Sequence, residues 1–317
     1  MFVGGIVMWR FCEREKATGV ALMILAALGA VTCADEAPPL PTHQVEGNSG
    51  VFITPTAYFA NPAGPDKVFG LPSISGTYAY IGEKDFEAFV ITENLWGRVE
   101  LGYGLERMGL GEWPGLVEDA TGLRVQDDAY LHNFNARVLA IKEGAFDNAW
   151  VPAVSAGAHL KYQQDFDDIN EQLAGTCDAL GADHDTGIEF TVTATKTFAK
   201  LLPMPLIVSA GLRNGDAVHT GLLGFAGERR TTFEGSLIYF LTSKLLIATE
   251  YRQKPDLIDK CTVGGTELVK AENDWWDICL GYIVNNHITV AGGYANFGNI
   301  LNDREDNVWA IQVKYEF

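Results

Sequence analysis

Charged side chains sit on the polar side of segments that otherwise alternate with apolar residues: Glu100, Arg137, Lys161, Glu189, Arg213, Glu234, Glu250, Arg252, Asp277, Lys314 and Glu316, with His159 among them. Acids and bases nearly balance, so two kinds of chemistry are open. Pairing across a narrow interior would relieve the several kcal/mol that an unpaired buried charge costs. Rings of charge around a hydrated pore would instead select solutes. Hydrolysis has little raw material, because His159 with Ser155 or Ser209 is all that inward positions supply, and no G-x-S-x-G, H-E-x-x-H or P-loop occurs. No catalytic residue is therefore assigned. Residues 163–186 hold Asp165, Asp167, Asp168, Glu171, Asp178, Asp183 and Asp185 with no Lys or Arg. Calcium takes such oxygens, but the spacing does not match the EF-hand loop. A solvated acidic surface is the reading, with neither a specific metal nor a cofactor. Cys177 and Cys261 fall in connections expected on the same side, and an oxidising compartment would permit a disulfide between them. That requires the loops to fold over the mouth and bring the Cα atoms within ~4.4–6.8 Å.

The elements that position these residues read as strands. The chain has 317 residues with 34 Gly, 11 Tyr and 7 Trp, which favours many strands and tight turns. Its 41 acids against 23 bases, a net charge of −18, exclude a nucleic-acid partner. Residues 17–32 form an apolar run after Arg10, Arg14 and Lys16, and Thr32-Cys33-Ala34 offers a signal-peptidase cut, so residues 1–34 read as a cleaved secretory signal. Residues 35–69 read as a Pro-rich periplasmic linker, with 48–64 a lumen plug or periplasmic segment. At the far end Trp309, Ile311, Val313, Tyr315 and Phe317 fall on one face of an extended segment, and Gln312, Lys314 and Glu316 on the other.

Similar segments fall near 70–82, 85–94, 97–107, 129–142, 150–162, 187–198, 204–214, 231–241, 244–253, 273–284, 287–297 and 306–317, each roughly the ~10 residues that a tilted transmembrane strand needs. The fold expected over 70–317 is all-β, a transmembrane antiparallel barrel of about twelve strands, with no amphipathic helix assigned. With Phe317 in the periplasm, short inner turns alternate with longer outer connections at 108–128, 163–186, 215–230, 254–272 and 298–305. The turn 82–85 is the one tight exception.

An aromatic carboxyl terminus resembles the signal of bacterial outer-membrane barrels, which their assembly machinery reads. HQVEGNSG and ITPTAY near the start, TATKTF at 193–198, GLLGFAGERR at 221–230, EYRQKPD at 250–256, DWWD at 274–277 and NFGNI at 296–300 resemble the domain of unknown function 3034 family of Gram-negative bacteria. The resemblance implies an outer-membrane barrel and carries no catalytic residues. The expected partners are outer-membrane lipid, lipopolysaccharide bridged to the acidic loop through divalent ions, and the assembly machinery. The expected function is a passive channel for small solutes with an acidic outer mouth. The alternatives are a structural or adhesive barrel with a closed lumen, and an outer-membrane lipid hydrolase.

Overall fold

Side-chain alternation along these segments builds a sheet that closes on itself. A computed structural model describes residues 42–199 and 202–317; the signal read in residues 1–34 lies outside the described residues. Twelve strands form the wall: β1 (Ser73–Ile81), β2 (Lys84–Leu95), β3 (Val99–Gly109), β4 (Asp128–Ile141), β5 (Ala153–Gln163), β6 (Thr186–Phe198), β7 (Leu206–Ala217), β8 (Phe225–Phe240), β9 (Leu245–Arg252), β10 (Trp275–Ile283), β11 (Ile288–Asn296) and β12 (Val308–Glu316). Each pairs antiparallel with its neighbour in sequence. The ring closes where β12 meets β1, with Glu316 opposite Ser73 and Val308 opposite Ile81. Closure leaves no unpaired wall edge, the condition for crossing a bilayer with strands.

The outward residues form the lipid-facing band, including Phe134, Phe190, Val192, Leu212, Ile278, Leu280 and Ile311. Trp96, Phe146 and Trp150 stand exposed at the turn end, while Tyr80, Trp276 and Trp309 do so towards the loop end. Such aromatic flanks match interfacial girdles. Tyr315 faces the same way but is covered by the rings of His287 and Phe317, at centroid distances of 5.8 and 4.8 Å.

Two expectations need correction. β8 starts at Phe225, so the connection expected over 215–230 contracts to residues 218–224, which include the 3-10 turn Val218–Gly221, and Phe225 and Ala226 also pair with Ala182–His184. The loops also contain helices: α1 (Trp113–Thr121), α2 (Phe166–Gln172) and α3 (Thr176–Leu180). Pro114 stands in the first turn of α1 and Gly122 closes it in the left-handed region at φ 75°. These are ordinary start and stop signals, overlooked amid the strand pattern.

The helices join two small hairpins, Cys261–Val263 with Thr266–Val269 and Gly298–Ile300 with Asp303–Glu305, in a lid over one end. Trp113, Ile169, Leu222, Leu268 and Leu301 pack there against inward Ile81, Met108 and Leu131. The Trp113 indole N–H donates to the carbonyl of Leu268 at 2.8 Å.

Candidate functional site

Residues 42–60 run inside the barrel and are buried almost throughout. They fold as a short hairpin, Thr42–Gln44 with Asn48–Gly50, followed by the apolar run Val51-Phe52-Ile53. The hairpin turn presses against β3 where two successive inward positions are glycine. A Cβ on Gly102 would lie 1.9 Å from the carbonyl oxygen of Gly47, and one on Gly104 would lie 2.8 Å from the carbonyl carbon of Glu46. Gly47 has φ +96°, so a bare wall and a left-handed turn together let the chain approach.

That approach delivers Glu46 to three cations. Its carboxylate accepts from Lys161 Nζ at 2.6 Å, from Arg252 Nη1 and Nη2 at 3.0 and 3.2 Å, and lies 3.2 Å from Arg213 Nη2. Glu189 bridges Lys161 at 2.8 Å and Arg213 at 2.7 Å, and Glu234 accepts from Arg213 Nε at 3.1 Å. Every charged member is nearly dry. The geometry is therefore a compensated buried network and offers no ring of free charge to a passing ion.

Further ties fix the rest of the segment. Glu250 accepts from the backbone amides of Phe52 at 2.7 Å, Ile53 at 3.1 Å and Thr54 at 2.7 Å. Arg137 bonds Glu100 at 2.9 Å and the carbonyls of Thr56 and Ser49 at 2.8 and 3.1 Å, with its guanidinium over the Phe59 ring. Val51, Phe52 and Ile53 rest on an inward apolar wall of Ile207, Ile238, Leu246 and Ala248. His43 spans the closing seam: its ring lies 3.0 Å from Ser75 Oγ on β1 and 3.1 Å from Thr92 Oγ1 on β2, and its amide donates to Gln312 on β12 at 2.8 Å. Asn61 reaches the Phe317 carbonyl at 3.0 Å at the turn end.

All twelve charged or histidine positions read from the sequence as inward are buried in the lumen. Asp277 lies opposite Glu250 in register, and Lys314 bonds Glu316 at 2.6 Å. His159 does not meet Ser155 or Ser209: its ring nitrogens lie 2.6 Å from Asn135 Oδ1 and 2.7 Å from Thr191 Oγ1. Ser209 is engaged by Thr195 at 2.9 Å, so His159, Ser155 and Ser209 are not assembled for hydrolysis.

The acids of 163–186 lie on the lid, with Asp167, Asp168, Glu171, Asp178 and Asp183 exposed and Asp165 and Asp185 half-buried. Cys177 and Cys261 are free thiols instead of the expected disulfide; both turn into the apolar interior of the lid. Burial, with Asp178 beside it, pushes the Cys177 thiol up to about 11. Since the thiolate is the nucleophile, alkylation of Cys177 at pH 7.5 is expected to run at least ~10-fold slower than that of a free cysteine, followed by mass spectrometry.

Several buried polar residues were missed from the sequence. His43 and Glu46 sit in a stretch without periodicity, and Lys84, read as part of a turn, pairs with Asp303 at 3.0 Å and Glu305 at 2.9 Å. The inward G-x-G of β3 was a readable signal for close approach. In the lid, Glu272 lies 3.1 Å from Lys254 and 3.5 Å from His219 Nδ1, and accepts from the His219 amide at 3.1 Å. Among the described residues no three His, Cys, Asp or Glu side chains are grouped to hold a metal ion.

No curated protein matches the chain by sequence. Among solved structures it is similar to KdgM porin at 10% identity and TM-score 0.46, covering 77% of this chain and 99% of that one. NanC porin follows at 9% and 0.44, covering 78% and 98%. The outer membrane phospholipase A from Escherichia coli stands at 10% and 0.34, covering 78% and 95%. Likeness this distant does not reach function. A sequence match over residues 41–314 takes in the lumen segment and all but the last residues of the wall, and by it the chain belongs to the family described as Protein of unknown function (DUF3034).

Proposed function

We propose that the protein is an outer-membrane channel barrel held shut at rest by residues 42–60, in place of a passive, permanently open pore. The observation that carries this is the Glu46 cage: the side chain that blocks the lumen pairs with all three cations and, with Glu189 and Glu234 of the wall, balances their charge. A wall of charged and hydroxyl side chains can be rehydrated once the segment leaves, which a wholly apolar core could not. The exposed carboxylates of the lid would give the open state a cation preference, with a reach of about 8 Å at physiological salt.

Single-channel recording of the mature protein tests the reading. The intact chain should show rare openings, Glu46→Gln more frequent ones, and deletion of 42–60 a steady cation-preferring conductance. Steady conductance from the intact chain would remove the gate. The apolar patch Ile207, Ile238 and Leu246 favours the second reading, a permanently closed structural barrel. Silence of the refolded deletion variant would select it.

A further inference from the structure

Phe52, Ile53 and Thr54 are held in the lumen by one side chain of the wall. The Glu250 carboxylate accepts from the amides of Phe52 and Thr54, each at 2.7 Å, from the Ile53 amide at 3.1 Å and from the Thr54 hydroxyl at 2.6 Å. The three amides can only donate, so they call for an ionised acceptor with no O–H of its own to place. A second acid stands beside it. Asp277 lies opposite Glu250 in the register of β9 and β10, both are 3% exposed, and the two carboxyl groups are in hydrogen-bonding contact. No N–H of another described residue reaches either Asp277 oxygen. A hydrogen bond between two carboxyl groups needs a proton, and with Glu250 committed to the amides that proton belongs on Asp277.

Nothing around the pair supplies a counter-charge. Ser236 of β8 faces Glu250 and Ala295 of β11 faces Asp277, while Ala248 and Cys279 are the next inward residues of β9 and β10 towards the turn end. Towards the loops, Arg252 is committed to Glu46 at 3.0 Å and to Glu234 at 4.0 Å, and Glu106 and His219 border the small space that Asp277 also lines. Glu106 brings a third acid there, not a base. Ionising both members of the pair would set two like charges side by side in a nearly dry site, the arrangement in which one proton is retained.

We propose that a proton shared by Asp277 and Glu250 latches residues 52–54 in the lumen, so that closing the barrel takes up one proton from water and rising pH releases the segment. This rests on the reading of residues 42–60 as the gate. With the segment out, water reaches both carboxylates and the shared proton is no longer needed. The closed state therefore binds one proton more than the open one, and opening gains up to about tenfold per pH unit while that proton is being lost. His43 and His159 pull the other way by charging in a hydrated lumen, but only below the ordinary histidine value of about 6.5, so the latch is read cleanly above pH 7.

The test compares the mature chain with Asp277→Asn, which keeps a neutral donor beside Glu250 and cannot ionise. In lipid nanodiscs at pH 7, the infrared difference between the two proteins should contain the carbonyl band of one buried carboxylic acid, absent from the variant. Chymotrypsin cutting at Phe52 or Phe59, scaled to cutting at the exposed Phe146, should rise at least about tenfold between pH 7 and 9 in the parent chain and less than about twofold in the variant, which retains Cys279. The frequency of openings in planar bilayers should follow the cutting. Absence of the acid band, cutting that stays level in the parent chain, or an equal rise in the variant would overturn the latch. A rise in the parent chain alone, without conductance at any pH, would uphold the latch and sink the channel reading, so the two failures are told apart.

Discussion

Glu46→Ala is expected to release residues 42–60 and to lower stability by about 3–5 kcal/mol, the cost of breaking a buried ion network from one side. Removing the carboxylate leaves Lys161, Arg213 and Arg252 with Glu189 and Glu234 as their remaining ion-pair partners among the described residues. Nothing apolar replaces what is lost. Two readouts should move together: the denaturant midpoint should fall, and protease added from the turn end should cut within 42–60. The exposed Asp167→Ala should stay within about 0.5 kcal/mol of the parent chain, as surface changes do. If Glu46→Ala matches Asp167→Ala in both measurements, the cage does not hold the segment.

The second large effect is expected from acid on the lid. Burial is the main force lowering the His219 imidazole below its usual range, with Lys254 and Lys84 adding to it and Glu272 and Asp256 opposing. Burial alone would raise Glu272, but His219, Lys254 and its hydrogen bonds hold it below the usual carboxylate range. Both groups thus bind protons more weakly in the folded state than in the unfolded one. Their stabilisation is complete above the ordinary histidine value of about 6.5 and declines as pH falls, with Glu272 adding a further loss below about 4.5. Hydrogen-exchange protection at the His219 and Leu222 amides should therefore drop between pH 7 and 4, and Glu272→Gln should abolish the lower step. Protection that stays level across this range would show that the lid does not depend on these charges.

Most of the wall was legible because period two is a local property: Glu189, Glu250, Arg252 and Asp277 could be placed inward from their immediate neighbours. The partners of those residues could not, because Glu46 meets Lys161 and Arg252 across more than a hundred positions of chain from a turn with no pattern of its own. Ile207, Ile238 and Leu246 face a lumen that is otherwise polar, and only the packed structure gives the reason: they form the wall that receives Phe52. The α1 signals Pro114 and Gly122 were present in the sequence; the tertiary reason for the helix, Trp113 beneath Leu268, was not. The free thiols show the same limit, since the spacing of Cys177 and Cys261 says nothing about which way their loops turn.

His43 touches β1, β2 and β12 at once, and this bears on the order of assembly. The last seam joins strands at opposite ends of the chain, so its closure carries the loop entropy of nearly the whole barrel. Residues 42–60 precede β1 and travel with it. A chain that has laid this segment against β1 and β2 presents His43 as a ready acceptor and donor for Gln312, and the arriving β12 then meets a partner already positioned. The segment that fills the finished lumen thereby acts as a mandrel around which the sheet is rolled, and its loss should slow closure of the ring even where the completed wall tolerates its absence.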